Sequence, residues 1–277
     1  MSETTVTTPS KLALQMELEK LFNKNQLIPR LRQEFATSEM GFDQHMIEND
    51  IPVKFGMDLL VQISLHKRAD IPTMVGVLYH HFNDAQLTAD MLKRCAEVDL
   101  VDWDDVSEKF IVIYEVTDDV QEELDRYQFP LPMVVEPKPV TNNRQTGFLI
   151  SGGSLIMNDN HHDEDICLDH INRMNSIKLT INAEVVAMVK NRWRNLDKPK
   201  NGESLDKFNE RRQAFNKYDR VAHAVIDRLI EEGNVFHLTH EYDKRGRIYS
   251  KGYHVNYQGN PWNKAVLEFA DKEIVPL

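Results

Sequence analysis

Cysteine is nearly absent: Cys95 and Cys167 are the two in 277 residues, far apart and in no metal-binding or disulfide spacing. Both read as packing residues on helices in a reducing compartment. No run of 18 apolar residues occurs, and the opening MSETTVTTPS has neither a basic n-region nor an apolar h-region, so neither secretion nor a membrane span is expected. Internal repeats and low-complexity tracts are missing as well. An overall excess of positive charge is also lacking. The net charge of −11 argues at first against a nucleic-acid partner, because phosphate binding needs clustered Lys and Arg.

The distribution of charge points the other way. Residues 84 to 136 hold 15 acidic and 4 basic side chains, which accounts for the whole net charge. Between 190 and 217 there are 9 basic against 4 acidic residues, and from 244 to 264 there are five basic residues and no acid. Two local positive patches therefore exist beside one acidic lobe. The first of them reads equally as a channel lining or as a solvated helix face.

The chain reads as α+β and mainly helical. Apolar spacing predicts helix over 11 to 48, broken at Pro29 and Gly41, then over 53 to 68, 72 to 82 and 86 to 97, with Asn83 and Asp84 as a cap. FIVIYEV after Lys109 reads as a strand, and an acidic helix follows near 118 to 127. The four prolines of FPLPMVVEPKPV force an extended strap. Beyond the turn at Gly152 and Gly153, Ile171, Met174, Ile177, Ile181, Val185 and Met188 repeat at helical spacing, predicting one long helix over 163 to 193. A loop RNLDKPKNGES precedes a helix over 203 to 232, stopped by Gly233. Strand VFHLTHEY, turn DKRGR, strand IYSKGYHV and a last helix over 258 to 271 complete the chain. The expected division is 1–10 as a polar terminus, 11–128 as a helical domain with the acidic lobe, and 129–277 as the remainder.

Asp243-Lys-Arg-Gly-Arg247-Ile-Tyr249 is the most informative stretch. By itself it is a hairpin turn in which Gly246 supplies a positive φ and the charges face water. Its sequel interleaves Lys251, His254 and Lys264 with Tyr249, Tyr253, Tyr257 and Trp262 and has no acid. Guanidinium forks bind phosphate oxygens in pairs, and aromatic faces stack on bases, at about 1–3 kcal/mol per base. That combination suits a nucleic-acid strand. The other cluster of chemistry-bearing residues, His161, His162, Asp163, Glu164 and Asp165 with Asp169 and His170, invites a metal-hydrolase reading, but reads mainly as a loop and helix start where acids favour the dipole.

DKRGRIY followed by YQGNPWNKAVLEFADKE resembles, in order and spacing, the DxxGR strand-turn-strand, PQGN-type loop and lysine-bearing helix of the single-subunit RNA polymerases of phages and mitochondria. PMVVEPKP resembles that family's PMxxPPxPW segment, with Val140 at the Trp and Glu136 at a Pro. NSIKLTINAEVVAMV resembles the helix that follows it. Together these cover 129 to 272.

The resemblance implies the beginning of a right-hand polymerase core completed by a second chain. It implies that Asp243, Gly246 and Arg247 hold the template strand of an RNA–DNA hybrid and that Tyr249 touches it. Gly252 stands where the family has a serine contact. Arg245, Lys251 and Lys264 are further phosphate candidates. The family's Mg²⁺-binding aspartates and nucleotide-gripping helix follow this segment, so no catalytic or metal residue is expected on this chain, and Mg²⁺ falls to a partner subunit. That arrangement is similar to the two-subunit enzyme of N-four-like bacteriophages, acting in the cytoplasm of an infected bacterium; a piece cut from a longer polymerase has the same pattern. Partners implied are the palm and fingers subunit, DNA template, RNA transcript, ribonucleoside triphosphates and a promoter-opening or single-stranded DNA-binding factor. A non-enzymatic nucleic-acid-binding or regulatory protein with a polymerase-like surface is the alternative.

Overall fold

The computed structural model describes residues 10–22, 26–157, 160 and 162–273. Helices alternate with short strands, an α+β architecture. No helix among the described residues is long and apolar enough to cross a membrane. The chain divides into two compact units, one formed within 24–124 and the other by the residues before and after it.

The first unit is built on α4 (Val53–His66), whose Phe55, Leu59 and Ile63 are fully buried. Around it lie α2 (Ile28–Ala36), α3 (Phe42–Glu48), α5 (Ile71–Leu78) and α6 (Ala85–Glu97). Pro29 stands in the first turn of α2, where a missing N–H costs nothing, and Gly41 starts α3 at φ 65°. The expected breaks in the run are thus helix starts. Asp84 caps α6 by accepting from Leu87 N at 3.0 Å, after Asn83 turns the chain at φ 55°. A short antiparallel sheet places β3 (Lys109–Ile111) between β1 (Arg68–Asp70) and β2 (Asp102–Asp104). The acidic helix α7 (Asp118–Tyr127) adds Val120 and Leu124 to this core. Cys95 is buried here as expected, and burial pushes its thiol up to about 12.

The second unit centres on α10 (Leu205–Glu231), capped by Ser204 and followed by Gly233 at φ 99°. Tyr218, Val221, Ala222, Val225, Ile226 and Leu229 bury one face of it, each large aliphatic contributing about 1.5–3 kcal/mol. Helix α1 (Lys11–Leu21) packs in this unit rather than with the helices that follow it in sequence. Its Leu18 joins the core of this unit, and two polar side chains anchor it: buried Glu19 accepts from the backbone N of Leu149 (2.7 Å), Ile150 (2.7 Å) and Ser151 (3.0 Å), and Gln15 accepts from Val134 N at 2.9 Å. The proline-rich strap is extended as expected. Met133 exchanges hydrogen bonds with His237 (2.9 and 2.8 Å), and Asn172 brackets Val140 by its N and O (2.8 and 2.9 Å).

Three expectations fail here. The long helix over 163–193 is instead α8 (Leu168–Asn175), strand β4 (Leu179–Ile181) and α9 (Ala183–Met188). Leu179, Thr180 and Ile181 pair with β7 (Leu267–Phe269), and Asn182 restarts helix by accepting from Val185 N at 3.0 Å. β-branched residues flanked by cap formers outweigh the helical spacing, and Met188 is left 73% exposed. The last helix is only α11 (Pro261–Ala265), because β7 takes 267–269 to pair with β4. Cys167 lies not within a helix but just before α8, at φ 57°.

Candidate nucleic-acid interface

Strand β5 (His240–Tyr242) runs antiparallel to β6 (Ile248–Ser250), pairing Tyr242 with Ile248 and Glu241 with Tyr249. Both strands are shorter than the sequence suggests. The turn between them closes by Asp243 N donating to Arg247 O at 2.9 Å and Gly246 N donating to Asp243 O at 2.9 Å. Gly246 sits at φ 76°, a backbone region that a side chain disfavours.

Asp243 is the hub of the turn and is 6% exposed. Its Oδ1 accepts from the backbone N of Arg245 (2.8 Å) and Arg247 (3.1 Å). Its Oδ2 accepts from Nε and Nη2 of Arg245 (3.2 and 3.1 Å) and of Arg247 (2.8 and 2.7 Å), and from the Tyr249 hydroxyl at 3.3 Å. Burial alone would raise the carboxyl, but the backbone and guanidinium of Arg247 and the Tyr249 hydroxyl together hold it below its ordinary value. One carboxylate therefore orients two guanidinium groups. Their side chains stay 62% and 52% exposed, and neither Nη1 has a hydrogen-bond partner among the described residues. The Arg247 guanidinium lies 5.8 Å from the Tyr249 ring centre, which fixes it further. Two forks with free outer edges, anchored at their inner edges, form a place where phosphate oxygens can be gripped.

Residues that sequence reasoning did not connect with this turn support it from behind. His162 donates from Nε2 to Asp243 O at 2.9 Å, and Asn160 Oδ1 accepts from Lys244 N at 2.9 Å. The Cys167 thiol lies 3.7 Å from Gly246 O. Tyr242 is wholly buried; its N donates to Leu155 O (2.8 Å), its O accepts from Met157 N (3.0 Å), and its hydroxyl donates to Asn143 Oδ1. Asn143 in turn takes Asp165 Oδ1 (2.6 Å) and Glu164 O (2.9 Å) as acceptors. The described part of the His-acid run is thus structural and forms no three-ligand group among the described residues; His161 lies outside them. The only sequence signal for this clasp was the clustering of His and Asp itself.

The stretch after the turn divides its residues differently from expectation. Lys251 is brought against Glu241 at 3.2 Å and is only 22% exposed, so it is a paired cation. Lys264 stands exposed on α11, beside a cleft of about 380 Å³ that it shares with His240 and Tyr257. Trp262 (3% exposed) and His254 (6%) are core residues and cannot stack on a strand. Tyr253 stacks on Phe129 at 3.8 Å between ring centres. His240 lies between Asn175 Oδ1 (2.8 Å) and the Tyr257 hydroxyl (2.9 Å), and burial, with His170 adding, lowers it to about 4. Among the aromatic candidates, Tyr249 alone joins the arginine cluster.

Each residue of the YQGN loop after Tyr257 has a structural role. Gln258 continues the ladder of β6 by accepting from Ser250 N (2.7 Å) and donating to Ile248 O (3.1 Å). Gly259 leaves room for Asn263, whose Nδ2 would stand 2.8 Å from any Cβ there. Asn260 caps α11 by accepting from Asn263 N at 2.9 Å. Gly252 is equally constrained, because a Cβ would meet Val255 O at 2.2 Å. The backbone of this loop has no room for the serine that the family resemblance puts there.

In the 190–217 patch, Arg211 is committed to Glu203 (2.7 and 2.6 Å) and Asn195 O (2.6 Å), and Lys217 to Asp125 at 2.5 Å. Arg212 leans on the Phe208 ring at 5.7 Å. Lys190, Arg192 and Arg194 make no side-chain ion pair or hydrogen bond among the described residues.

No family model matches the chain. It is similar to a probable DNA-directed RNA polymerase of Agaricus bitorquis, 26% identical over an alignment 170 residues long that covers 52% of this chain and 15% of that protein. The match supports a relationship to RNA polymerases while spanning only a small part of that relative's length.

Proposed function

We propose that this chain is a subunit of a DNA-directed RNA polymerase of the phage and mitochondrial single-subunit type, and that its β5–β6 turn holds the template strand of the RNA–DNA hybrid. More narrowly, we read it as the small chain of a two-subunit enzyme like that of N-four-like bacteriophages, acting in the cytoplasm of an infected bacterium. The observation that carries this reading is the Asp243 carboxylate fixing Arg245 and Arg247 side by side with their outer edges open.

Nucleotidyl transfer of this kind needs two Mg²⁺ ions held by carboxylates. Asp243 is saturated by guanidinium groups and Glu241 by Lys251, so the acids nearest the turn are not free to hold a metal. By the family resemblance, this reading leaves Mg²⁺, the ribonucleoside triphosphate site and the palm and fingers elements to a second chain. This chain supplies grip: Arg245 and Arg247 neutralise template phosphates, Gly246 lets the strand approach the backbone, and Tyr249 steadies Arg247. DNA template and RNA transcript are then shared ligands. A separate promoter-opening or single-stranded DNA-binding factor belongs to the same reading.

Co-purification of this chain with a partner carrying the metal-binding aspartates, followed by RNA extension on a primed template, tests the assignment. A stable complex that extends RNA, with neither chain active alone, is expected. Template binding without complex or extension would instead make the chain a non-enzymatic nucleic-acid-binding protein.

A further inference from the structure

Asp58, His80 and His81 present ligand atoms within 4.8 Å of one another, in the unit that does not contain the arginine turn. Asp58 is on the buried face of α4, and the two histidines form the 3₁₀ turn Tyr79–His81 that follows α5. His81 Nε2 stands 3.0 Å and His80 Nε2 3.7 Å from the same oxygen, Asp58 Oδ2. In a tetrahedral zinc site with bonds near 2.0–2.1 Å, neighbouring ligand atoms lie about 3.3 Å apart, a value these two distances bracket.

The surroundings orient these atoms as a metal site requires. Arg32 Nε donates to Asp58 Oδ1 at 2.7 Å, which fixes the carboxylate and leaves Oδ2 to the histidines. His80 Nδ1 faces Val77 O at 3.2 Å, so the proton of the neutral ring belongs on Nδ1. Its Nε2 then points a lone pair toward a carboxylate oxygen, a juxtaposition that a cation resolves. Hydrogen bonding of the second ring nitrogen to a backbone carbonyl is the usual arrangement of a ligating histidine. The side chains of His81 and Asp58 are 7% and 6% exposed, while that of His80 is 61% exposed, leaving one side open for water as fourth ligand.

We propose that Asp58 Oδ2, His80 Nε2 and His81 Nε2 bind a divalent transition-metal ion, zinc foremost, which clamps the 3₁₀ turn onto α4. Binding replaces the His81–Asp58 hydrogen bond, and the Nε2 proton of His81 moves to its Nδ1 through solvent, so the ring stays neutral. This departs from the expectation of a metal-free chain and is independent of the polymerase assignment.

The test is zinc binding to the full chain by equilibrium dialysis, with melting temperature measured in parallel and cobalt used as a coloured probe of geometry. One zinc per chain, a raised melting temperature and a tetrahedral cobalt spectrum are expected. Loss of a ligand's outer partner weakens metal affinity by about 10–100-fold, so His80→Ala, at the exposed ligand, is expected to weaken zinc by about 100-fold or more and to abolish the thermal shift. His162→Ala, in the other histidine cluster, is expected to leave zinc affinity unchanged. Absence of stoichiometric binding at micromolar zinc, or equal affinity in His80→Ala, would overturn the proposal.

Discussion

Asp243 holds Arg247 at three points: Oδ1 accepts from its backbone N at 3.1 Å, and Oδ2 from Nε at 2.8 Å and Nη2 at 2.7 Å. Closing the turn and aiming the guanidinium are therefore one event.

Asp243→Asn keeps the size of this hub but turns an NH₂ toward two guanidinium groups. The variant is expected to fold, as judged by circular dichroism, and to bind template as weakly as Arg247→Ala. The pH response follows from the lowered carboxyl. Its folded-state value lies below the ordinary 3.8, so its contribution to stability is present above that value and is lost only as the pH falls through the lower one. The Gly246 amide resonance should stay flat from neutral pH down to about 4.

Arg245→Ala and Arg247→Ala each remove one phosphate fork. Each should weaken template binding uniformly across sequences and reduce the slope of log K against log salt by about 1. Lys251→Ala should change that slope less than either, because Lys251 is already paired with Glu241. A larger effect for Lys251 would show that the pairing breaks when template binds.

Gly252→Ala forces a Cβ to within 2.2 Å of Val255 O, and the backbone must shift to relieve it. Overpacking of this kind costs about 1–3 kcal/mol in chemical denaturation. Gly76→Ala, where a Cβ meets nothing within 4 Å and the position is helical, serves as the control and should be neutral or slightly stabilising.

His240 and His254 are buried and lowered to about 4, chiefly by desolvation. Unfolding frees them to bind protons at their ordinary 6.5, so their contribution is fully present above that pH and declines as the pH falls from 6.5 toward 4. Each can account for up to about 3 kcal/mol over that window. His254→Phe, which keeps the ring packed against Tyr218 and Tyr253, should make the acid limb of stability shallower.

The turn itself is legible in the sequence because a glycine between charged residues, flanked by alternating strands, has few other conformations. Helix α10 is legible for a similar reason, stopped at Gly233, while its Ser204 cap appears only in the structure. The 163–193 segment misleads because Ile171, Ile177, Ile181 and Val185 satisfy a helical period while Leu179, Thr180 and Ile181 itself pair with β7, a partner some 90 residues away. Support of Asp243 by His162, 81 residues away, is likewise non-local, so no local pattern announces it. Local pattern also overstates the aromatic residues after the turn as ligands. Burial of Trp262 and His254 is decided by α10, which no window around 243 to 264 contains.

The central claim is that the 243–249 turn touches the template strand, and photocrosslinking tests it most directly. A template bearing a photoreactive group within the RNA–DNA hybrid would be bound by the assembled polymerase, irradiated, and the modified peptide identified by mass spectrometry. The account predicts adducts within residues 240 to 251 of this chain, reduced in Arg247→Ala. Adducts confined to the partner chain, or to segments of this one away from the turn, would contradict it.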